Sequence, residues 1–272
     1  VEFGALSTER LAEIYMAEKF DPVELSNALS LAAADRSPRG RALLFQAAQI
    51  ESVNMAKATV FSKAFEIATE ENGYLSTIEL YRPLLAKLTS APAINWFAGE
   101  AARALHAVDR PLLARSWMEI LRLAAEQNEE YKTTFNGLWY LRYLTDSTIP
   151  KDDFSTDLTS WLTYHKSKSG ARAQSRMAAG LMLLKALGHE IPDDAWWQVL
   201  ETPRAPVESG GETIFRIAMS RATDAGRIGE AILMLLLSFG EAGPTIDDID
   251  TVSTAVRVLR QLGLETEAKK LV

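Results

Sequence analysis

The sequence predicts an all-α fold. Apolar residues recur along nearly the whole chain at the three-or-four-residue spacing of amphipathic helices, as at Leu11, Ile14 and Tyr15. Alternation of apolar and polar residues, which a half-buried strand requires, does not occur over any convincing stretch. Residues that cap and start helices recur between the apolar segments. These observations favour helices packed on helices.

Helix starts are marked by capping residues followed by proline. In Asp21-Pro22-Val23-Glu24, an N-cap aspartate precedes a first-turn proline and a glutamate placed to complete a capping box. The same N-cap and proline order occurs at Ser37-Pro38, and Pro111 and Pro192 mark two further starts. We predict helices over 7–19, 22–34, 38–51, 54–71, 76–89, 93–107, 111–127, 129–145, 152–168, 171–187, 193–201, 211–224, 228–239, 246–262 and 265–271.

Most of the predicted connections are short, so consecutive helices are expected to lie antiparallel as neighbours. The connection at 202–211 is longer and contains two prolines and two glycines, which are typical of a flexible loop. We therefore predict an array of helical hairpins over 1–205 and hairpins that continue the same array over 206–272.

Composition excludes several functional classes. The chain of 272 residues has a formal net charge of -7, which disfavours general binding of nucleic acid. It has no cysteine, so disulfides, thiolate zinc sites and cysteine nucleophiles are excluded. The lack of cysteine also fits an oxidising compartment, which favours the bacterial periplasm over the cytoplasm. The apolar run from Ala231 to Leu237 is too short for a transmembrane segment. The absence of an initiator methionine suggests a piece of a longer protein.

A glycine followed five residues later by an alanine occurs twice, at Gly226 with Ala231 and at Gly263 with Ala268. The same step occurs at 109 and 114, with aspartate in place of the glycine. The glycine suits a left-handed helix cap, and the alanine lets the next helix pack closely. Gly226 and Gly263 are 37 residues apart.

On these residues the chain resembles the tetratricopeptide superfamily, whose repeat is about 34 residues long. The resemblance covers 95–126, 212–240 and 249–271, and it implies a right-handed α-solenoid of antiparallel hairpins. The closing leucine-glycine-leucine turn is also similar to C-terminal regions of large exported bacterial proteins.

Residues suited to catalysis are few. The three histidines, His106, His165 and His189, have no second histidine one helical turn away, so no helical metal pair is expected. Asp247, Asp248 and Asp250 fit the first turn of a helix, where acidic residues offset the helix dipole. No phosphate loop, nucleophile elbow or dinucleotide motif occurs. We therefore expect no enzyme activity, no metal and no cofactor.

Basic residues cluster at one predicted hairpin tip. This cluster would form either an anion-binding patch for a phosphate or acidic peptide, or simply a solvated turn. Its members are Lys166, Lys168, Arg172 and Arg176.

In a tetratricopeptide-like stack, the first helix of each hairpin lines a concave groove. By this resemblance the groove would be basic and would suit an acidic or extended peptide of a protein partner. The resemblance assigns it Trp96, Arg103, His106, Arg216, Arg257, Arg260 and Gln261.

The groove assignment depends on how the hairpins are counted: counting them from residue 7 would place Arg103 on the convex side.

The expected function is accordingly that of a non-enzymatic scaffold or adaptor. The alternatives are an α-helical glycan-binding or cell-wall module or enzyme, and a ligand sensor with a closed pocket under Trp139 and Tyr143. Trp196 and Trp197 cannot both point inward on one helix, so one of them is expected to be exposed.

Overall fold

The computed structural model describes residues 6–146, 154–167, 171–200, 213–239, 243 and 249–272, with the backbone alone at 171–175, 200 and 213–218. Every regular element in these residues is a helix, which confirms the all-α prediction. Contacts within the chain divide it into two compact units, Val1–Leu138 and Trp139–Val272. We call them unit 1 and unit 2 and describe each by itself. The predicted boundary between 205 and 206 lies outside the described residues.

Unit 1 is built from nine α-helices and one 3₁₀ helix within its described residues. From α4 onward each α-helix packs against the next α-helix along the chain, and α1 packs across α4 and α6. The elements are α1 (Thr8–Ala17), α2 (Pro22–Ser26), α3 (Ala28–Ala34), α4 (Pro38–Ile50), α5 (Asn54–Glu70), α6 (Tyr74–Leu85), the 3₁₀ helix (Pro92–Phe97), α7 (Ala98–Ala107), α8 (Pro111–Ala125) and α9 (Glu129–Leu138).

The predicted capping interactions are present in unit 1. Asp21 accepts a hydrogen bond from the backbone N–H of Glu24 at 2.8 Å, and the Glu24 carboxylate accepts one from the backbone N–H of Asp21 at 3.0 Å. This reciprocal pair satisfies two donors that the start of a helix leaves without partners. Ser37 caps α4 through the backbone N–H of Arg39. Local sequence therefore fixes where both helices begin.

An aromatic cluster forms the centre of unit 1. The Tyr81 ring packs edge-to-face against the rings of Phe45, Phe61 and Phe65, with centroids 5.4 to 5.7 Å apart. Edge-to-face contacts place the positive edge of one ring against the negative face of another. This cluster joins α4, α5 and α6 into one core.

Unit 2 contains eight helices within its described residues. Helix α14 pairs with α15, and α16 pairs with α17. Helix α16 also packs against α12, which lies well before it in the chain. The elements are α10 (Leu141–Thr145), α11 (Phe154–Ser167), α12 (Ala171–Ala186), α13 (Asp193–Leu200), α14 (Thr213–Asp224), α15 (Ile228–Phe239), α16 (Ile249–Gln261) and α17 (Glu265–Lys270).

The contact between α12 and α16 departs from a simple solenoid, in which each repeat contacts only its neighbours along the chain. Arg260 on α16 donates a hydrogen bond from Nη1 to the backbone oxygen of Ala186 at the end of α12, at 2.7 Å. A cation here stabilises the negative end of the helix dipole. A Cβ at Gly188 would lie 2.8 Å from the same nitrogen, so glycine leaves room for the arginine.

Two stacked indoles lie at the centre of unit 2. The rings of Trp139 and Trp161 lie 5.8 Å apart and nearly parallel. A Cβ at Gly180 on α12 would lie 2.6 Å from the Trp161 ring, so a glycine is required for α12 to approach it. Trp139 and Tyr143 are both buried, 3% and 4% exposed, and their rings contact each other. They form part of a packed core.

Five helix ends among the described residues share one turn geometry, in which a residue with positive φ follows the helix. At each one, the next residue donates a hydrogen bond to the carbonyl oxygen five positions earlier, as Leu264 does to Leu259 at 2.8 Å. This pattern is the Schellman motif. It occurs at Asn72, Asp109, Gly188, Gly226 and Gly263.

The alanines of the predicted step are buried where helices meet. Ala114, Ala231 and Ala268 are each 0% exposed, which confirms the burial expected from the glycine–alanine step.

Some of the helices predicted from the sequence are interrupted in the structure. Asn27 separates α2 from α3, residues 139–140 separate α9 from α10, and the expected helix 93–107 begins as the 3₁₀ helix.

Candidate interaction surfaces

The outward side of α15 is an exposed apolar stripe. Leu233, Leu236 and Leu237 are 53%, 60% and 53% exposed, and they lie on one side of the helix at spacings of three and four residues. Gly229 lies one turn before Leu233 on the same side. We call these four residues the α15 face.

The sequence of α15 accounts for this exposure. The helix is apolar almost all round, whereas a surface helix normally carries polar residues on its outer side. Ala231 and Leu235 occupy the inner side, where α15 packs against α14 and α16. The leucines on the outer side are left exposed to solvent by that packing. Several adjacent exposed leucines on one helix are typical of a surface that meets another molecule.

The edge of the α15 face near the start of the helix is polar. Arg227 and Glu230 form an ion pair at 2.8 Å, and both side chains are exposed. A Cβ at Gly229 would meet no atom within 4 Å, so the backbone at this point is open to close approach. An apolar centre with a polar rim is the usual anatomy of a protein interface.

A second exposed apolar feature is an aromatic side chain on α13. Trp197 is 64% exposed, while Trp196 packs against the core of unit 2 with the Lys185 ammonium 5.4 Å from its ring centroid. The expectation that one of this pair would be exposed is therefore confirmed. Exposed tryptophans are frequent anchors in protein interfaces.

The predicted groove residues of unit 2 differ in how far their side chains are exposed to a binding partner. Arg257 and Gln261 are exposed on α16, one turn apart. Arg260 is partly covered: it bonds to Ala186 and also pairs with Glu265 at 3.1 Å, so it holds α12, α16 and α17 together. The side chain of Arg216 lies outside the described residues.

The predicted groove residues of unit 1 also differ. Trp96 is 43% exposed and Arg103 is exposed, whereas His106 is only 4% exposed and lies inside the unit.

Arg103 and Tyr74 both line a shallow surface depression. Burial raises the pKa of Tyr74 to about 12, and the positive charge of Arg103 opposes that rise. Burial likewise raises the pKa of Glu100, while a hydrogen bond from Ser62 and the charge of Arg103 lower it.

The basic cluster is described only in part. Lys166 and Arg176 are exposed, on α11 and α12. Lys168 and the side chain of Arg172 lie outside the described residues, as do Asp247 and Asp248 of the acidic run. Asp250 is in the first turn of α16, as expected.

The histidines take part in packing. His189 contacts the backbone oxygen of Tyr143 through Nε2 at 2.9 Å and stacks on Phe154. His165 is 7% exposed and packs edge-to-face on Trp161, where burial and then the charge of Arg176 lower its pKa.

In the part of the chain that the structure describes, no three histidine or acidic side chains come together as a metal site. No helix among the same residues has both the length and the apolar character that crossing a membrane requires.

Comparison of the chain with protein-family models, curated proteins and solved structures finds no match.

Proposed function

We propose that this chain is a non-enzymatic protein-interaction scaffold and that its principal contact surface is the α15 face. The observation that carries the proposal is the exposure of Leu233, Leu236 and Leu237 along one side of a helix whose other side is packed. Water around three adjacent leucines is released when a partner covers them, and this release favours association.

The proposed occupant is an amphipathic helix of a partner protein. The α15 face runs from Gly229 to Leu237, which is about 12 Å along a helix axis, or roughly two turns. A stripe of leucines at three-and-four spacing matches the ridge of a single facing helix. The glycine at one end allows the two backbones to approach closely, as small residues do between packed helices. The partner helix would carry apolar residues at spacings of three, four and seven.

The proposal includes the tetratricopeptide-like arrangement expected from the sequence. Support comes from the hairpin turns at Asp109, Gly226 and Gly263 and from the buried alanine that follows each of them. In unit 1, the α-helices from α4 onward pack on each other in chain order, as in stacked hairpins, while α1 packs across α4 and α6. The packing of α16 on α12 means that unit 2 adds a non-sequential contact to any such stack.

The predicted basic groove gives a narrower alternative for the same function. Arg103 in unit 1 is exposed, and Arg257 in unit 2 is separately exposed with Gln261 beside it to offer hydrogen bonds, so that each could by itself attract an acidic segment. Arg260 bonds within the chain, which weakens this alternative relative to the α15 face. Binding through the arginines would decline with added salt, whereas binding through leucines would not.

The two surfaces can be separated by selecting peptides from a random displayed library on the purified chain. The Leu233→Glu/Leu236→Glu variant serves for counter-selection against the α15 face. The variant Arg257→Glu is the matched control on the other surface. We expect the enriched peptides to be helix-forming, with apolar residues at three-and-four spacing, and to bind wild type and Arg257→Glu equally.

Loss of these peptides in the leucine variant, with an unchanged circular dichroism spectrum, would support the proposal. Enrichment of acidic peptides that require Arg257 would transfer the function to the groove. If no peptide family is enriched on the wild-type chain, the scaffold proposal is wrong for both surfaces.

A further inference from the structure

Unit 1 carries a broad, shallow surface depression that the α15 face does not involve. It forms where α1, α5, α6 and α7 meet, and its volume is ≈ 710 Å³, within the size range of ligand sites. The lining is mainly apolar, with a few polar side chains among the apolar groups. It includes Asn72, Tyr74, Leu75, Glu79 and Arg103.

Arg103 brings to the depression a positive charge that the described side chains do not neutralise. Arg103 is exposed on α7, and no described residue forms an ion pair or a hydrogen bond with its guanidinium. The acidic side chains around it have other partners. Glu79 pairs with Arg82 at 3.3 Å, and Glu100 accepts a hydrogen bond from a serine of α5. The Tyr74 phenol stays neutral, because burial raises its pKa to about 12.

The free guanidinium favours a carboxylate as its partner. Its planar fork of N–H donors matches the two oxygens of a carboxylate, and such charge-assisted hydrogen bonds are stronger than those between neutral groups. An exposed ion pair alone is nevertheless weak, because water screens it. A ligand of this depression therefore needs apolar and hydrogen-bonding contacts beside its carboxylate.

Leu75 and Asn72 offer those contacts. Leu75 is 66% exposed on α6, so a ligand that covers it releases water from an apolar side chain. Asn72 lies in the turn before α6 with a φ of 58°, and its side-chain amide forms no hydrogen bond with the described residues. A carboxamide has both a donor and an acceptor, and it can therefore pair with a peptide group.

We propose that this depression binds the carboxyl terminus of a peptide whose last residue is apolar. Arg103 pairs with the α-carboxylate, Leu75 packs against the last side chain, and Asn72 bonds to the adjoining peptide group. A terminal residue carries all three groups on one Cα, whereas an internal acidic residue has no apolar side chain beside its carboxylate. Capture of a terminal carboxylate is a recurring mode of peptide recognition.

The test is affinity selection on the purified full chain from N-acetylated hexapeptides randomised at every position, prepared as free acids and as carboxyl-terminal amides. Peptides this short form no stable helix, so they do not report on the α15 face. We expect enrichment of free acids alone, with an aliphatic or aromatic last residue. In a titration of the most enriched peptide, amidation should weaken binding roughly tenfold.

Arg103→Gln should abolish the difference in affinity between acid and amide, and Leu75→Ser should weaken the binding of both forms. Arg110→Gln and Leu112→Ser are the matched controls. Arg110 is an exposed arginine of unit 1, Leu112 is 65% exposed, and neither lines the depression. Both controls should bind as wild type does. The inference is overturned by a lack of enrichment among the free acids, by equal enrichment of the amides, or by an acid preference that survives Arg103→Gln.

Discussion

Replacing Gly226 or Gly229 by alanine should change stability in opposite directions, although the two residues are three positions apart. Gly226 has a φ of 66° at the turn between α14 and α15, while Gly229 lies within α15. A Cβ added at either position would meet no atom within 4 Å. Any difference between the two variants is therefore a property of the backbone conformation.

The magnitudes follow from this geometry. An L-residue in the left-handed region costs about 1–2 kcal/mol, so Gly226→Ala should lower the free energy of unfolding by that amount. Alanine within a helix is more stable than glycine by roughly 0.5–1 kcal/mol, so Gly229→Ala should raise it. The free energies of unfolding of the two variants should then differ by about 1.5–3 kcal/mol.

The assay is amide hydrogen exchange followed by mass spectrometry on peptides from α14 and α15. Exchange reports the free energy of local opening and does not require the whole chain to unfold in one step. Faster exchange in Gly226→Ala and slower exchange in Gly229→Ala is the expected pair of results. If Gly226→Ala exchanges as slowly as wild type, the turn is not left-handed and the hairpin geometry proposed here is wrong.

Three further changes test other contacts. Asp109→Gly should raise the free energy of unfolding, measured by urea titration, by about 1 kcal/mol. The reason is that it removes both an L-residue in the left-handed region and an acidic group at a helix C-terminus. Arg260→Ala should cost about 1.5–3 kcal/mol through loss of its hydrogen bond to Ala186, while the exposed Arg257→Ala should change stability by less than about 0.5 kcal/mol. The pKa of His165 is lowered by burial from 6.5, so the unfolded chain binds the proton first and stability should fall as the pH drops below 6.5. His165→Phe should reduce that slope in urea titrations at successive pH values, and an unchanged slope would contradict this assignment.

The helices could be predicted from sequence because their start and stop residues act locally. Asp21 and Ser37 form the expected caps, and the expected alanines are buried. The turns at Asn72 and Gly188 were not predicted, because neither is followed by alanine five residues later. The Asn72-Gly73 dipeptide and the glycine at 188 were the features that could have indicated them.

The surfaces were harder to predict because they depend on contacts between residues distant in sequence. The resemblance places Arg260 in the groove, but its hydrogen bond to Ala186 depends on the packing of α16 against α12. The run from Ala231 to Leu237 was visible as apolar, yet its sequence does not tell which leucines remain uncovered.

The most direct test of the scaffold proposal is site-specific photo-crosslinking in the native cell or extract, with the crosslinker at Leu236. The same crosslinker at Arg257 serves as the control, because both positions are exposed in unit 2. The crosslinked peptide is identified by mass spectrometry, synthesised and titrated onto the purified chain.

We predict that the crosslinker at Leu236 captures one helix-forming apolar segment of another protein. The synthetic peptide should bind wild type, and Leu233→Glu should abolish that binding. Equal capture at both positions, capture only of a second copy of this chain, or a synthetic peptide that does not bind would contradict the proposal that the α15 face receives a partner helix.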